Sequence, residues 1–408
     1  MAAPGLYLHI PFCSAICPYC DFSVLKGGAL ARERFALHLI AEVPLAAGEW
    51  SDPRPFDTVY FGGGTPSLLP PEELARVLAA CRSHLALASP APWIFLEANP
   101  EDVTADACAA WRDLGVRTLS LGVQSFSDEA LRFLGRRHSA AEARTAVRTA
   151  LAAGFDSVSL DLIFGLPDQT EDAWRRELRT AAALGPGHIS CYQLTVHEGT
   201  RFGVAAKRGL LSEMPEGEQA VLFEITHRVL ADAGYSAYEV SNFARSREHE
   251  SRHNRKYWDH TPYLGLGPSA HSLAMISGPT TANPSRLPAA RRWWNERSTP
   301  RWESRVAAGE PPIEGVESLG PKELATEAVM LGLRTTEGID LGGFTQGYGV
   351  DLLAANDGLV ARLATEGHLV VRTDPAGGLW LVPTASGLAV ADGMAAAFDI
   401  PLSTGLAR

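Results

Sequence analysis

Positive charge is scarce in this chain. Lys and Arg number 36 against 47 Asp and Glu, a net charge of −11 over 408 residues. That balance gives no basic footprint for nucleic acid. No apolar run approaches the length of a membrane span, and no repeat of 20–50 residues is evident. Only twelve residues precede Cys13, too few for a secretory leader ahead of it, so disulfides are not expected. These absences point to a cytoplasmic chain. With 46% hydrophobic and 20% charged residues it can bury a large core and a second, smaller domain.

Cysteine is also scarce, yet three of the six fall within eight residues: Cys13, Cys17 and Cys20 in LYLHIPFCSAICPYCDF, a C-x3-C-x2-C spacing. Three thiolates can hold three irons of a cubane cluster that normally takes four cysteines, which leaves one iron open to a small molecule. Two other readings stay open from spacing alone. The cysteines could line one helix face as core residues, although Pro18 opposes a helix there. They could bind zinc, which usually takes a full set of four ligands. Cys81, Cys108 and Cys191 are isolated in an expected helix, helix and strand. The segment reads best as a loop after a short strand, Leu6–Ile10.

Strand-like runs at Leu6–Ile10, Thr58–Phe61, Trp93–Glu97, Thr118–Gly122, Ser157–Leu162 and His188–Leu194 alternate with amphipathic stretches. Those stretches are Arg32–Ala47, Pro71–Leu85, Ala105–Leu114, Asp128–Leu134 with Ala140–Ala153, and Glu171–Leu184. Such alternation implies an α/β fold of parallel strands with crossover helices, either an open doubly wound sheet or a barrel. Six units fall short of a complete eightfold barrel.

Ligand sites of parallel α/β folds form at the carboxyl ends of the strands. Here those ends are the cysteine loop, Gly62-Gly63-Gly64-Thr65-Pro66, Glu97-Ala98-Asn99-Pro100, Gly122-Val123-Gln124-Ser125, Asp161 and Tyr192-Gln193. One polar strand end is ordinary; six in succession indicate a site. The glycine run is neither a P-loop nor a G-x-G-x-x-G fingerprint. Glu97 is an acceptor for an amine or a ribose hydroxyl, or else a charge at a helix N-terminus. Gln124 and Asp161 suit a further ligand. Arg136 suits a carboxylate, or is an exposed arginine at a helix end.

C-x3-C-x2-C after a short N-terminal strand resembles the radical S-adenosylmethionine superfamily. The resemblance implies a partial (β/α)6 barrel, a 4Fe-4S cluster on Cys13, Cys17 and Cys20, and S-adenosylmethionine chelated at the open iron. One electron then cleaves the sulfonium to a 5′-deoxyadenosyl radical. It also implies cofactor contacts from Tyr7, Tyr19, Gly63, Gly64, Thr65, Glu97, Gln124, Arg136, Asp161 and Gln193, with Tyr19 against the adenine. HIPFCxxxCPYCDF, FGGGTPSLL, LSLGVQSF, LDLIFGLPDQT and YQLTVHEGT further resemble the oxygen-independent coproporphyrinogen III oxidase group, over nearly the whole chain. The oxidases carry a cysteine where this chain has Phe22, and a longer N-terminal extension. Both departures resemble the heme chaperone branch, whose members deliver heme to heme-accepting proteins, respiratory ones among them. Radical decarboxylation of two coproporphyrinogen propionates to vinyls is the alternative. Another radical reaction on a porphyrin-like substrate is the third.

That branch also carries H-N-x-x-Y-W, here His253-Asn254-Arg255-Lys256-Tyr257-Trp258. Histidine ligates heme iron and aromatic rings pack on porphyrin, so His253, Tyr257 and Trp258 are heme candidates. Lys256, Arg252 or Arg255 could pair with the propionates. The competing reading makes His253 and Asn254 a cap on the barrel, with Tyr257 and Trp258 as core. His249, His260 and His271 lie nearby, and the sequence does not say which histidine binds iron.

The expected domains are 1–245, the partial barrel; 246–320, the motif and a connector; and 321–408, a small, mainly α unit. Ser277–Pro312 reads as connector with a short helix near Trp302–Ala308. Helices Lys322–Leu333, Asp340–Phe344 and Asp357–Glu366, then a hairpin Leu369–Thr373/Leu379–Pro383, resemble a winged helix. The acidic balance argues for a cover or docking surface there, not DNA binding. The oligomeric state is open, a dimer among the options.

Overall fold

The segment GLYLHI sets the local rule. Successive side chains of a strand point to opposite faces. Leu6, Leu8 and Ile10 are fully buried in the main hydrophobic core, while Tyr7 and His9 occupy the other face and bond to each other. The computed structural model describes residues 2–278 and 287–401. In it the same alternation recurs on β1 (Gly5–Ile10), β2 (Thr58–Gly63), β3 (Trp93–Ala98), β4 (Val116–Gln124), β5 (Ser157–Phe164) and β6 (His188–Gln193). Aliphatic residues such as Val59, Leu96, Leu121, Leu160 and Ile189 pack in the core. Tyr60, Glu97, Ser120, Asp161 and Ser190 take the inner face.

The six strands lie side by side in chain order, each parallel to the next. Crossovers in this sequence all have one hand. Their helices therefore collect on one side: α1 (Ala29–Glu49), α2 (Pro71–His84), α3 (Ala105–Asp113), α4 (Asp128–Phe133), α5 (Ala140–Ala152) and α6 (Glu171–Leu184). The result is the expected (β/α)6 half-barrel, an open sheet. Beyond β6 come α7 (Arg201–Lys207), α8 (Glu216–Asp232) and two short strands, β7 (Ser236–Ala237) and β8 (Asn242–Ala244), that finish one edge.

The opposite edge corrects the sequence reading. After α9 (Arg252–Trp258), β9 (Tyr263–Leu266) pairs parallel to β1, and the sheet continues antiparallel through β10 (His271–Ser277), β11 (Ala289–Asn295) and β12 (Ile313–Leu319). The stretch expected as connector thus contributes the whole of β11 to the sheet, and α10 (Thr299–Ala307), between β11 and β12, stands where the short helix was expected. Residues 279–286 of that stretch lie outside the described residues. Its strand pattern is interrupted by Arg291 and Arg292, which pair with Glu49 and Glu327. Glu42 of α1 fastens this extension to the barrel. Its buried carboxyl accepts from Gly267 N at 2.7 Å, Asn295 Nδ2 at 2.5 Å and Trp302 Nε1 at 3.1 Å, and burial pushes its pKa up to about 8.

The C-terminal part has its own core around Val329, Leu333, Phe344, Leu363 and Leu381. Helices α11 (Pro321–Gly332), α12 (Leu341–Tyr348), α13 (Leu352–Ala355) and α14 (Asp357–Thr365) precede a hairpin of β14 (Leu369–Thr373) and β15 (Leu379–Pro383). The short β13 (Ile339–Asp340) pairs with β15. This is the winged-helix-like arrangement expected. Among the described residues no helix is long and apolar enough to cross a membrane.

Candidate functional site

The carboxyl ends of the parallel strands surround a cleft of about 450 Å³. Cys13, Cys17, Tyr19, Cys20, Gly63, Gly64, Thr65, Glu97, Gln124, Arg136, Asp161 and Gln193 all line it, as the sequence suggested, and Phe22 lines its mouth. The cysteine segment is a loop. Cys13 N donates to Leu25 O at 2.9 Å, and Pro18 O accepts from Phe202 N at 2.9 Å. All three thiols are free and partly exposed. Burial pushes the Cys13 thiol up to about 11 and raises Cys20 as well, so loading with metal must expel protons. Among the described residues no three His, Cys, Asp or Glu side chains converge on a single ion. The cleft offers three thiols from one loop, whereas zinc usually takes a full set of four ligands. A multi-iron cluster fits, because it takes one iron per thiolate and spreads its ligands. Thr65 Oγ1 and Arg136 Nη1 each lie 3.6 Å from a cysteine sulfur, Cys13 and Cys17 respectively.

The glycine run is required by close approach. Gly63 has φ +110°, and a Cβ there would stand 2.6 Å from the His9 ring; one at Gly64 would meet Phe12 O at 2.7 Å. The run is thereby pressed against the cysteine loop, with Gly64 N donating to Ile10 O at 2.8 Å. Gln124 holds φ +64°, rare for a residue with a side chain, where β4 breaks register with β5.

Two carboxyls face this cleft from inside the barrel. Glu97 accepts from Tyr60 Oη at 2.7 Å and from Gly63 N at 3.1 Å. Burial raises its pKa to about 7, against the Tyr60 hydrogen bond and with help from the Asp161 charge. Burial lifts Asp161 to about 6, opposed by the hydroxyls of Ser190 and Ser120. Glu97 is therefore not a helix-terminal charge but an acceptor on the inner face of β3. Arg136 is not an exposed helix-end residue either. Its Nη2 donates to Asn99 Oδ1 at 2.6 Å and Gly122 O at 2.8 Å. A fixed cation beside the cysteines and two carboxyls across the cleft suit a zwitterionic ligand. The sequence reading missed Tyr60, Ser120 and Ser190. Their signal was the period-two alternation that puts them on the inner face with Glu97 and Asp161.

Tyr7 and the candidates of the H-N-x-x-Y-W motif lie elsewhere. Tyr7 does not line the cleft; it sits a layer below it, its hydroxyl 3.1 Å from His9 Nδ1 and its ring stacked on Tyr60. His253 is 1% exposed, with Nδ1 2.9 Å from Thr58 Oγ1 and Nε2 3.0 Å from Tyr257 Oη. Burial drives its pKa down to about 3. Thr58 opens β2, so α9 plugs the amino ends of the strands. The six residues of β1 separate it from the cysteine loop, about 20 Å at 3.3 Å per residue. His253 is a core histidine with neither nitrogen free for heme iron, and Tyr257 packs with it. Lys256, expected for propionates, is buried on Ala3 O and Asp57. Trp258 lines a separate cavity.

A half-barrel with three cysteines and a glycine run at its strand ends is the architecture of radical S-adenosylmethionine proteins. The Radical SAM superfamily profile matches residues 7–181, and that of the HemN C-terminal domain matches 319–375. The heme chaperone HemW of Mycobacterium tuberculosis is 38% identical over 340 residues, 83% of each chain. That of Bacillus subtilis is 32% identical over 88% of this chain and 91% of its own. The chain belongs to the radical S-adenosylmethionine superfamily, in the family these HemW relatives form. In fold it is similar to coproporphyrinogen III oxidase HemN of Escherichia coli, at 22% identity and TM-score 0.79 over 97% of this chain and 90% of that one.

Proposed function

We propose that this protein is a cytoplasmic heme chaperone, binding heme and passing it to heme-dependent proteins. What carries the reading is the likeness to HemW relatives over more than four fifths of both chains, together with an intact cysteine cleft. Cys13, Cys17 and Cys20 would hold a 4Fe-4S cluster. When bound, such a cluster supplies an open iron and a single electron. The chain's own residues do the rest. Glu97 and the backbone of Gly63–Thr65 receive the amino group of S-adenosylmethionine, and Gln124, Asp161 and Gln193 orient its remainder. Tyr19 walls the adenine side. Arg136 keeps a buried positive charge beside the thiolates, which favours their ionised form. Residues from 321 onward act as a cover or docking surface on this reading, distinct from the barrel of 1–245 and the motif segment of 246–320.

The test is transfer. Heme-loaded protein mixed with an apo heme enzyme should lose its Soret absorption as the acceptor gains activity. The same preparation should leave coproporphyrinogen III unchanged by product analysis. Vinyl products would instead establish the oxidase reading, which the HemN-like fold keeps in view.

A further inference from the structure

Two adjoining cavities open at the end of the barrel opposite the cysteines, between α9 and the C-terminal helices. One, about 350 Å³, is lined by the aromatic Trp258, Phe344, Tyr348 and Trp380 and, among charged residues, by Arg255, Asp259, Glu337 and Asp340. Its neighbour, about 300 Å³, includes Met275 and shares Asp259, His260 and Tyr348 with the first. Of the four histidines around the motif, only His260 lines these cavities.

His260 is held in an unusual way. Its φ is +54°, a left-handed conformation that a side chain disfavours and that persists only where the surroundings impose it. Its Nε2 lies 3.1 Å from Glu327 Oε2, and Arg292 fixes the same carboxylate from the other side. Nδ1 has no partner among the described residues. A histidine tied to a carboxylate by one nitrogen and open at the other is the arrangement of a ligating histidine. In the same wall, the Trp258 Nε1–H is buried without an acceptor. Buried donors normally find one, so this one is poised for a ligand oxygen.

We infer that heme binds here, with His260 Nδ1 as an iron ligand, the four aromatic side chains against the porphyrin, and Trp258 Nε1–H toward a propionate. This rests on the heme-chaperone reading and moves the iron ligand from the motif histidine to one outside it. Both cavities open to solvent, which suits cargo that must leave again.

The experiment is a Soret titration of the full-length, anaerobically reconstituted protein with hemin. Wild type should saturate near one equivalent. His260→Ala should weaken binding at least tenfold and shift the Soret maximum, and added imidazole should restore its position, an effect that a merely structural role would not give. Ala328→Phe, which fills the larger cavity while leaving His260 in place, should weaken binding as well, and decides the matter if His260→Ala misfolds. Wild-type affinity and spectrum in both variants would overturn the assignment alone. No saturable binding by wild type would overturn the chaperone reading with it.

Discussion

The two ends of one set of parallel strands are built from the same alternation and finish in opposite states. At the amino ends the inner side chains close on one another: Thr58, His253 and Tyr257 form a chain of hydrogen bonds beneath stacked Tyr7 and Tyr60. At the carboxyl ends they stop short. Three thiols, two carboxyls with raised pKa values and a positive-φ glutamine face an open cleft. Burial and hydrogen-bond partners are common to both, and what differs is whether the inner face closes on itself or borders open space. A plug spends its polar groups on one another, whereas the site holds its carboxyls and arginine in place on neighbours and keeps a cleft in front of them.

The contrast can be broken most sharply by removing one thiol. Cys17→Ala should abolish the 4Fe-4S absorption after reconstitution and leave hemin affinity unchanged, because the two ends act separately. The plug should respond in stability instead. His253→Ala leaves Thr58 and Tyr257 without their partner and opens a void, so it should cost about 3 kcal/mol in urea denaturation, with cluster content per folded molecule intact. Gly63→Ala forces a Cβ against His9 at positive φ and should cost about 2 kcal/mol, releasing iron more readily as well. The smallest effect is on pH. Glu97, raised from its ordinary 4.5 to about 7, holds a proton when folded that the unfolded chain gives up. Its contribution to stability is therefore full below about 4.5 and lost as pH rises toward 7. A cationic ligand reverses the preference, so S-adenosylmethionine should bind about fivefold more tightly at pH 8 than at pH 5.5, and Glu97→Gln should flatten that slope. Equilibrium dialysis at both values checks it.

Much of this contrast was legible in the sequence. Cysteine spacing, the glycine run and polar residues at successive strand ends marked the cleft, because parallel α/β folds put ligands there. The plug was not legible as such. H-N-x-x-Y-W has the chemistry of a heme site and the chemistry of a buried hydrogen-bonded core, and only the pairing of His253 with Thr58, 195 positions apart, separates them. Likewise Arg291 and Arg292 concealed β11, since their partners Glu49 and Glu327 are remote in sequence. His260 carried no motif at all. Its candidacy comes from cavities formed between α9 and α12, which no local pattern records.

The most direct measurement is electron paramagnetic resonance of the reduced, reconstituted protein, titrated separately with S-adenosylmethionine and with hemin. Two independent ends predict that S-adenosylmethionine changes the cluster signal and that hemin leaves its shape and g values alone. A cluster signal altered by hemin but indifferent to S-adenosylmethionine would place the heme at the cysteine cleft and contradict the account.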